Sequence, residues 1–204
     1  MQTLIDNKGM EYLGNIHGGP FVGNDQTDFC PERRKMYCCL HNELGFLPWH
    51  RLYMTQMEDS LEMALPYWDW AEEGQGQIPD LWEGLTPTFK YPVKSVCQKT
   101  DGCACKRGDG TNRFVNRKEN VRIPPKDQRW IKALIRLAFD TTNFIEFEQP
   151  PLKKPHDNVH GFIGCEMTSE EHAGYDPIFF LHHTFVDYLW AFWQEIQKIR
   201  EALL

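Results

Sequence analysis

The chain has 204 residues, and its 22 Lys and Arg against 29 Asp and Glu give a formal net charge of −7 at pH 7. Hydrophobic residues make up 41% and charged residues 25% of the sequence, which is typical of a single globular domain and excludes a disordered chain. The acidic balance argues against binding to nucleic acid, which needs a basic face, and no apolar run reaches the about 18–20 residues of a membrane span.

The first half of the chain is predicted to hold two helices. A short helix is expected within residues 1–16, and residues 17–45 are expected to form a loop. The second helix runs from Leu47 to Met63, before Pro66, because apolar residues recur there at helical spacing. Its expected apolar positions are Leu52, Tyr53, Met57 and Leu61.

The second half is predicted to hold further helices after a long irregular excursion over residues 66–125, which is rich in Gly, Pro and Asp. Pro124 and Pro125 start a helix that continues to Phe139, since proline is favoured in the first turn. A short helix is expected over residues 156–161, and the last begins after Asp176 and Pro177. The fold class is therefore mainly α, with a central four-helix bundle and long irregular loops cross-linked by disulfides. One face of the helix after Pro125 is predicted to hold Trp130, Leu134, Leu137 and Ala138.

The seven cysteines indicate cross-links in the excursion. Four of them, Cys97, Cys103, Cys105 and Cys165, are spread as in a disulfide framework, which implies a secreted location or another oxidising compartment. A zinc knuckle is the alternative for the first three, and it is disfavoured because the usual C-x2-C pair is absent. Residues 1–10 have no signal-peptide layout, so a targeting segment is expected outside this chain.

Six of the eight histidines fall into two groups that can bind metal. His156 and His160 lie four residues apart, on one face of the predicted helix, where two imidazoles can bind one ion. His182 and His183 are adjacent and therefore point about 100° apart, so only one of them can face that ion. His183 is the better candidate because Asp187 follows it by one turn and can orient it or a neighbouring group.

His17, His41 and His50 form the upstream group. Two sets of three imidazoles suit two copper ions, since imidazole is a good copper ligand and copper heads the divalent affinity order. Zinc is the alternative on ligand type alone. A carboxylate-bridged di-iron site is disfavoured because the sequence lacks a Glu-x-x-His pair.

Three motifs carry a resemblance to a known family. His41 is followed by the aromatic-rich stretch that contains Trp49-His50-Arg51, and Glu58 follows that; Pro66-Tyr67-Trp68-Asp69-Trp70 comes next. The third motif is Asp176-Pro-Ile-Phe-Phe-Leu-His-His-Thr-Phe-Val-Asp187. The sequence resembles the type 3 dicopper family of tyrosinases, catechol oxidases and molluscan haemocyanin functional units. The resemblance implies one tyrosinase-like domain over residues 1–204, with a copper A motif at 17–58, an excursion at 71–125 and a copper B motif at 156–187.

The resemblance also implies the ligands of two copper ions that bind O2. Copper A would be held by His17, His41 and His50, and copper B by His156, His160 and His183. His172 and His182 are left out.

Further residues take roles by resemblance. Cys39 is expected to form a thioether with His41. The six remaining cysteines would then form three disulfides, with Cys30–Cys38 the preferred first pair. Phe179 is expected to pack on the copper B histidines. Arg51 and Asp187 are expected to form a buried ion pair between the two copper-bearing helices.

The chain departs from the family pattern at two positions. Tyr188 stands where the family usually has Arg, and Asp157 stands where Asn is common. Asp157, with Glu148 or Glu146 nearby, is predicted to hold and deprotonate a water that takes the proton of a phenol. The alternatives are that Asp157 only caps the short helix and that both glutamates are solvated loop charges.

The resemblance implies a polyphenol oxidase with a small phenol or catechol as substrate. It would use O2 to oxidise o-diphenols to o-quinones and would also hydroxylate monophenols. The alternative is a haemocyanin-like O2-binding unit, or a fragment of one, with the same dicopper centre.

Overall fold

In the computed structural model, the described residues are 9–18, 39–41, 44–85, 88–89, 113–118, 120–170 and 172–203. This part of the chain is mainly helical, which confirms the predicted class. Residues 148–152 form one π-helical turn, and residues 165–168 and 173–175 form 3-10 turns. The α-helices are α1 (Gly9–Gly18), α2 (Phe46–Leu61), α3 (Asp80–Glu83), α4 (Pro125–Asp140), α5 (Phe144–Phe147), α6 (Lys153–Ile163) and α7 (Ile178–Ala202).

The described part of the excursion is irregular, as predicted, with two short additions. One is α3, and the other is an antiparallel pair of two-residue strands, β1 (Thr88–Phe89) and β2 (Arg113–Phe114). In the described part of the chain, no helix is long and apolar enough to cross a membrane.

Helix α2 lies close to its predicted position and packs against α7. Tyr53 and Met57 are buried as expected, but Leu52 is 69% exposed, so its predicted core position is wrong. Leu52 adjoins Tyr53 and projects about 100° away from it, so both cannot face the core. The helix ends at Leu61 because Glu62 adopts a left-handed conformation with φ of 54°, and Pro66 lies beyond that end.

Helix α4 begins at the predicted proline but presents a different face to the core. Trp130 and Leu137 are 45% and 57% exposed, so the predicted face is wrong except for Ala138. The neighbouring face is buried instead. Its residues are spaced three or four positions apart, which places them on one side of the helix. It consists of Gln128, Ile131, Ile135 and Ala138.

The start of α7 is anchored by a buried ion pair. Asp176 accepts a hydrogen bond from the backbone N–H of Ile178 at 3.0 Å, as expected for a residue at a helix start. Its carboxylate also accepts two bonds from Arg117, at 2.8 and 2.6 Å. Arg117 donates to the backbone carbonyls of Trp82 and Leu85 as well. The pair therefore attaches α7, the helix that contains His183, to the excursion.

Helix α1 lies against the 3-10 turn at residues 173–175 at very short range. A Cβ on Gly14 would lie 2.3 Å from the Tyr175 ring, and a Cβ on Gly174 would lie 2.6 Å from the Cβ of His17. Tyr53 of α2 donates to the carbonyl of Leu13 at 2.7 Å. These contacts hold the end of α1, and with it His17, in a buried position.

Two of the seven cysteines lie in the described part of the chain. Cys39 is buried and is not in a disulfide, whereas Cys165 is buried and disulfide-bonded. The expected Cys30–Cys38 pair and the pairing of Cys97, Cys103 and Cys105 lie outside the described residues.

Candidate metal centre

Three imidazoles meet between α6 and α7. The Nε2 atom of His156 lies 3.1 Å from that of His160 and 3.2 Å from that of His183, and the third distance is 3.3 Å. A metal bound to three nitrogens at about 2.0–2.1 Å in tetrahedral geometry would place those nitrogens about 3.3 Å apart. The structure therefore gathers the expected copper B set into the geometry of ligands to one ion.

The protein holds the outer nitrogens of His160 and His156, whereas Nδ1 of His183 has no hydrogen-bond partner among the described residues. The Nδ1 atom of His160 lies 2.7 Å from the carbonyl oxygen of Met167, and that of His156 lies 2.9 Å from Oδ1 of Asp157. A proton on each Nδ1 satisfies these contacts and leaves the Nε2 lone pair directed at the shared point.

The upstream set lies beside the first. His17 ends α1, His41 lies in an irregular segment, and His50 lies in the first turns of α2, with ring centroids 5.1–5.7 Å apart. His50 donates from Nδ1 to the carbonyl of Phe46 at 2.8 Å. Its Nε2, and both ring nitrogens of His17, have no hydrogen-bond partner among the described residues. Buried nitrogens with unused lone pairs fit a metal, because leaving them unpaired would cost free energy.

Burial keeps these imidazoles neutral. Desolvation lowers the pKa of His17, His50, His156 and His183 well below the ordinary value, and nearby imidazoles lower it further. Desolvation also lowers the pKa of His160, to about 3. Metal ligands must be deprotonated, so the set has the form that binds a metal at neutral pH.

Cys39 lies within the upstream set. Its Sγ is 3.1 Å from Nδ1 of His41, and with His17 these side chains form a second cluster of possible ligands. The expected thioether stays a prediction, and this proximity is compatible with it.

The resemblance leaves His182 out of the ligand set, yet its ring lies beside the downstream set. Its ring centroid is 5.0 Å from that of His156 and 4.7 Å from that of His160, and desolvation lowers its pKa well below the ordinary value. Neither ring nitrogen has a partner among the described residues. His172 is different, since its Nδ1 contacts the hydroxyl of Ser169 at 2.9 Å.

Phe179 lies against the histidines, in the position that the resemblance implies. Its ring stacks on His183 with centroids 4.0 Å apart, and its edge meets His17 at 4.7 Å. The same ring therefore limits the movement of imidazoles from both sets.

Arg51 and Asp187 pair across α2 and α7, at 2.6 Å between Nε and Oδ1. Their side chains are 33% and 30% exposed, so the expectation of a buried pair is wrong, since both lie at the edge of the helix contact. The guanidinium also lies 3.8 Å from the ring centroid of Trp190. Burial raises the pKa of Asp187 although Arg51 opposes the shift. Asp187 therefore joins the helices and does not orient His183 by a hydrogen bond, since Nδ1 of His183 has no hydrogen-bond partner among the described residues.

A cavity of about 380 Å³ lies over both sets. Asp157 lies in its wall with a half-exposed side chain and accepts bonds from Lys153 at 2.7 and 2.6 Å. Asp157 is the fifth residue of α6, so the capping alternative is wrong. The histidines that line the cavity are His17, His41, His156 and His160.

The two candidate glutamates have different surroundings. Glu148 is fully buried, and its Oε2 has no partner among the described residues, whereas its Oε1 accepts from Gln149 at 3.2 Å. Burial raises the pKa of Glu148. It is therefore not a solvated loop charge, but it is not among the residues that line the cavity. Glu146 is exposed in α5.

Tyr188, the second departure from the family pattern, lies on the outer face of α7. Its ring stacks on Tyr67 with centroids 5.1 Å and planes 11° apart. At the position where the family usually has Arg, this chain therefore has a tyrosine that makes an aromatic contact with Tyr67, the residue before Trp68.

Comparison with known sequences agrees with the histidine pattern. A family model described as the common central domain of tyrosinase matches residues 7–196. The A-type hemocyanin, units Ode to Odg, of Enteroctopus dofleini is 32% identical over 98% of this chain and 17% of its own length. The hemocyanin 2-c chain of Megathura crenulata is 31% identical over 98% of this chain and 49% of its own. This chain therefore spans less than half of these relatives.

Solved structures share the fold. A functional unit from octopus hemocyanin has a TM-score of 0.68 at 26% identity and covers 96% of this chain and 47% of its own. A tyrosinase from Burkholderia thailandensis has a TM-score of 0.62 at 18% identity, and the match covers 95% of this chain and 55% of the tyrosinase chain. A copper-bound tyrosinase mutant from Aspergillus oryzae has a TM-score of 0.61 at 18% identity, and the match covers 96% of this chain and 73% of the mutant chain. The chain belongs to the tyrosinase family of type 3 dicopper proteins.

Proposed function

We propose that this chain is a copper-dependent phenol oxidase that uses O2 to oxidise o-diphenols to o-quinones. The observation that carries the proposal is the cavity over both histidine sets, because it gives a small aromatic molecule access to either ligand set. Its volume of about 380 Å³ lies at the lower end of ordinary small-molecule sites, which suits a single-ring phenol.

Copper would be held by His17, His41 and His50 at one position and by His156, His160 and His183 at the other. When bound, two copper ions supply O2 binding and accept the electrons that the phenol loses. Two o-diphenols each lose two electrons and two protons, and one O2 is reduced to two waters.

The protein's own side chains fix the imidazoles and shape the access. The carbonyls of Phe46 and Met167 and the carboxylate of Asp157 orient three of the six rings. Phe179 closes the cluster on its inner side by stacking on His183. The phenol enters past Lys153 and Asp157, which lie in the cavity wall.

The substrate class has support from one neighbour, because an Aspergillus oryzae tyrosinase mutant is known in complex with L-tyrosine. We propose phenols and catechols as the class for this chain. The predicted hydroxylation of monophenols needs a free base near the site. The carboxylate of Asp157 bonds Lys153 and His156, so these contacts do not support its role as that base.

A second candidate function is reversible O2 binding. The observation that favours it is the identity of about 30% to hemocyanins from two molluscs. A carrier needs the same ligands but must not turn over the phenol, so access to the cavity separates the two functions.

Location is proposed from cysteine chemistry. A disulfide-bonded Cys165 in a chain with seven cysteines supports a secreted or otherwise oxidising setting.

The test is O2 consumption by copper-loaded protein with L-DOPA and with tyrosine, beside metal analysis of the same sample. We expect two copper ions per chain and rapid O2 uptake with L-DOPA. His50→Ala is the control, and it should hold fewer copper ions and lose the uptake. Two copper ions with reversible O2 binding and no quinone would support the carrier, and zinc alone in a copper-replete preparation would contradict both functions.

A further inference from the structure

Lys153 is a buried cation at the start of α6. Its side chain is 11% exposed, and its ammonium bonds both carboxylate oxygens of Asp157 one turn later, at 2.7 and 2.6 Å. Lys153 and Asp157 both line the cavity over the histidines. The pair thus belongs to the helix that carries His156 and His160, on the side that faces the cavity.

The position of Lys153 is unfavourable for a lysine on local grounds. It is the first residue of α6, where the helix dipole favours anions, and the first turn holds no acidic residue. Burying an ammonium also costs free energy unless it is paired, and here Asp157 supplies the pairing. A residue that breaks local rules in this way points to a functional constraint.

The partner of Lys153 contacts a metal-binding imidazole. Oδ1 of Asp157 bonds Lys153 and also lies 2.9 Å from Nδ1 of His156, whose Nε2 faces His160 and His183. The carboxylate therefore accepts a hydrogen bond from Nδ1–H of His156, while the ammonium of Lys153 holds the carboxylate in place.

His156 needs this second anchor more than His50 and His160 do. His50 and His160 donate to backbone carbonyls, which are fixed by their helix and turn. His156 donates to a side chain that is 52% exposed and would otherwise rotate into solvent. A bidentate ion pair removes that freedom because it fixes both carboxylate oxygens.

We propose that Lys153 is a positioning residue that acts through Asp157 on His156 and thereby sets the affinity of the downstream copper position. The proposal rests on the copper site of the proposed function. It assigns Asp157 to orienting a ligand, and it makes the Lys153–Asp157–His156 chain one unit whose parts do not contribute independently.

The test is titration of the metal-free protein with Cu(I) against a competing chromogenic chelator, which needs no turnover. Groups that orient metal-binding histidines typically change affinity by about 10–100-fold. We expect Lys153→Met to weaken one of the two copper ions by about this factor. Lys153→Arg, which keeps the charge and can bond both oxygens, should restore most of the affinity.

Two further variants separate positioning from a general effect on folding. Lys132→Met removes a more exposed ion pair, with Glu72 at 2.7 Å, that bonds no histidine, and it should leave both affinities unchanged. Lys153→Met combined with Asp157→Ala should bind copper no more weakly than Asp157→Ala alone, since coupled residues are not additive. The metal-free unfolding midpoint in urea should stay the same or rise in Lys153→Met, because a buried cation is removed.

The outcomes are distinct. Wild-type protein that fails to bind two copper ions would overturn the proposed function. Two other results would overturn the role of Lys153 while leaving the proposed function in place, provided that the wild-type protein binds two copper ions. One is an unchanged copper affinity in Lys153→Met. The other is a double variant whose loss of copper affinity equals the sum of the losses in Lys153→Met and Asp157→Ala.

Discussion

The imidazole of His50 stacks on that of His183, with centroids 4.4 Å and planes 11° apart. The two rings belong to different histidine sets and to different helices, α2 and α7. The contact therefore joins the sets into one cluster, and Arg51 and Asp187 join the same two helices one turn further along. A shift of either helix would move ligands of both sets together.

The assignment of His183 over its neighbour is testable by metal stoichiometry. His183→Ala should reduce bound copper from two ions to one, because Nε2 of His183 completes the triangle with His156 and His160. His182→Ala should retain two ions, since its ring lies beside the triangle. Metal analysis after dialysis measures both. The assignment fails if His182→Ala loses an ion and His183→Ala does not.

The sequence predicted the ligand helices because their signals are local. Pro125 and Asp176 start helices α4 and α7 as expected, and the spacing of His156 and His160 places both rings on one face. The core face of α4 could not be predicted, since either of two neighbouring stripes is apolar enough. The face is selected by tertiary contacts, among them the bonds that Gln128 donates to the backbone carbonyls of Trp70 and Glu72.

Two site residues gave no usable sequence signal. His182 adjoins a ligand, and the angle between adjacent helical residues argues against its reaching the same cluster. Lys153 is one of two consecutive lysines, and such a pattern is typical of a solvated helix start. Its burial depends on packing between the π-helical turn and α6, which local patterns do not encode.

Covalent linkage of Cys39 is a prediction about the mature, copper-loaded protein. Sγ lies 3.1 Å from Nδ1 of His41, and a thioether would join Sγ to a carbon of the same ring, with O2, the co-substrate of the proposed function, taking up the two hydrogen atoms that are lost. Mass spectrometry of the digested protein should show Cys39 and His41 joined, with the product lighter by two hydrogen atoms. Cys39→Ala serves as the control. A Cys39 that reacts fully with an alkylating agent after copper loading would contradict the linkage.

Acid should destabilise the metal-free protein below about pH 6.5. The folded state lowers the pKa of His160 to about 3 and the pKa of His156 and His183 well below the ordinary value. At a pH between the folded and the unfolded pKa of these histidines, the unfolded chain therefore binds more protons than the folded chain. Stability is therefore fully present above the unfolded pKa of about 6.5 and falls as pH decreases, by about 1.4 kcal/mol per pH unit for each proton that the unfolded chain binds in excess of the folded chain.

Urea unfolding of metal-free protein at pH 7, 6 and 5 measures this loss. His160→Gln should show a shallower decline than the parent, since one proton-binding site is removed from the unfolded chain. Equal stability at pH 7 and pH 5 would show that the histidines are not held in a desolvated neutral state.

Asp157 separates two explanations of phenol chemistry. If its carboxylate acted as a base, Asp157→Ala would slow monophenol hydroxylation far more than diphenol oxidation, because only a monophenol with a pKa near 10 needs that proton removed. The contacts with Lys153 and His156 favour an orienting role instead. We therefore expect Asp157→Ala to lower both rates by a similar factor, roughly 10-fold or more, since both reactions depend on His156. Asp157→Asn should lose less, because an amide oxygen still accepts from Nδ1, and the exposed neighbour Asn158→Ala should change neither rate. Parallel O2-uptake assays with tyrosine and L-DOPA decide the matter, and a selective loss with tyrosine would restore Asp157 as the base.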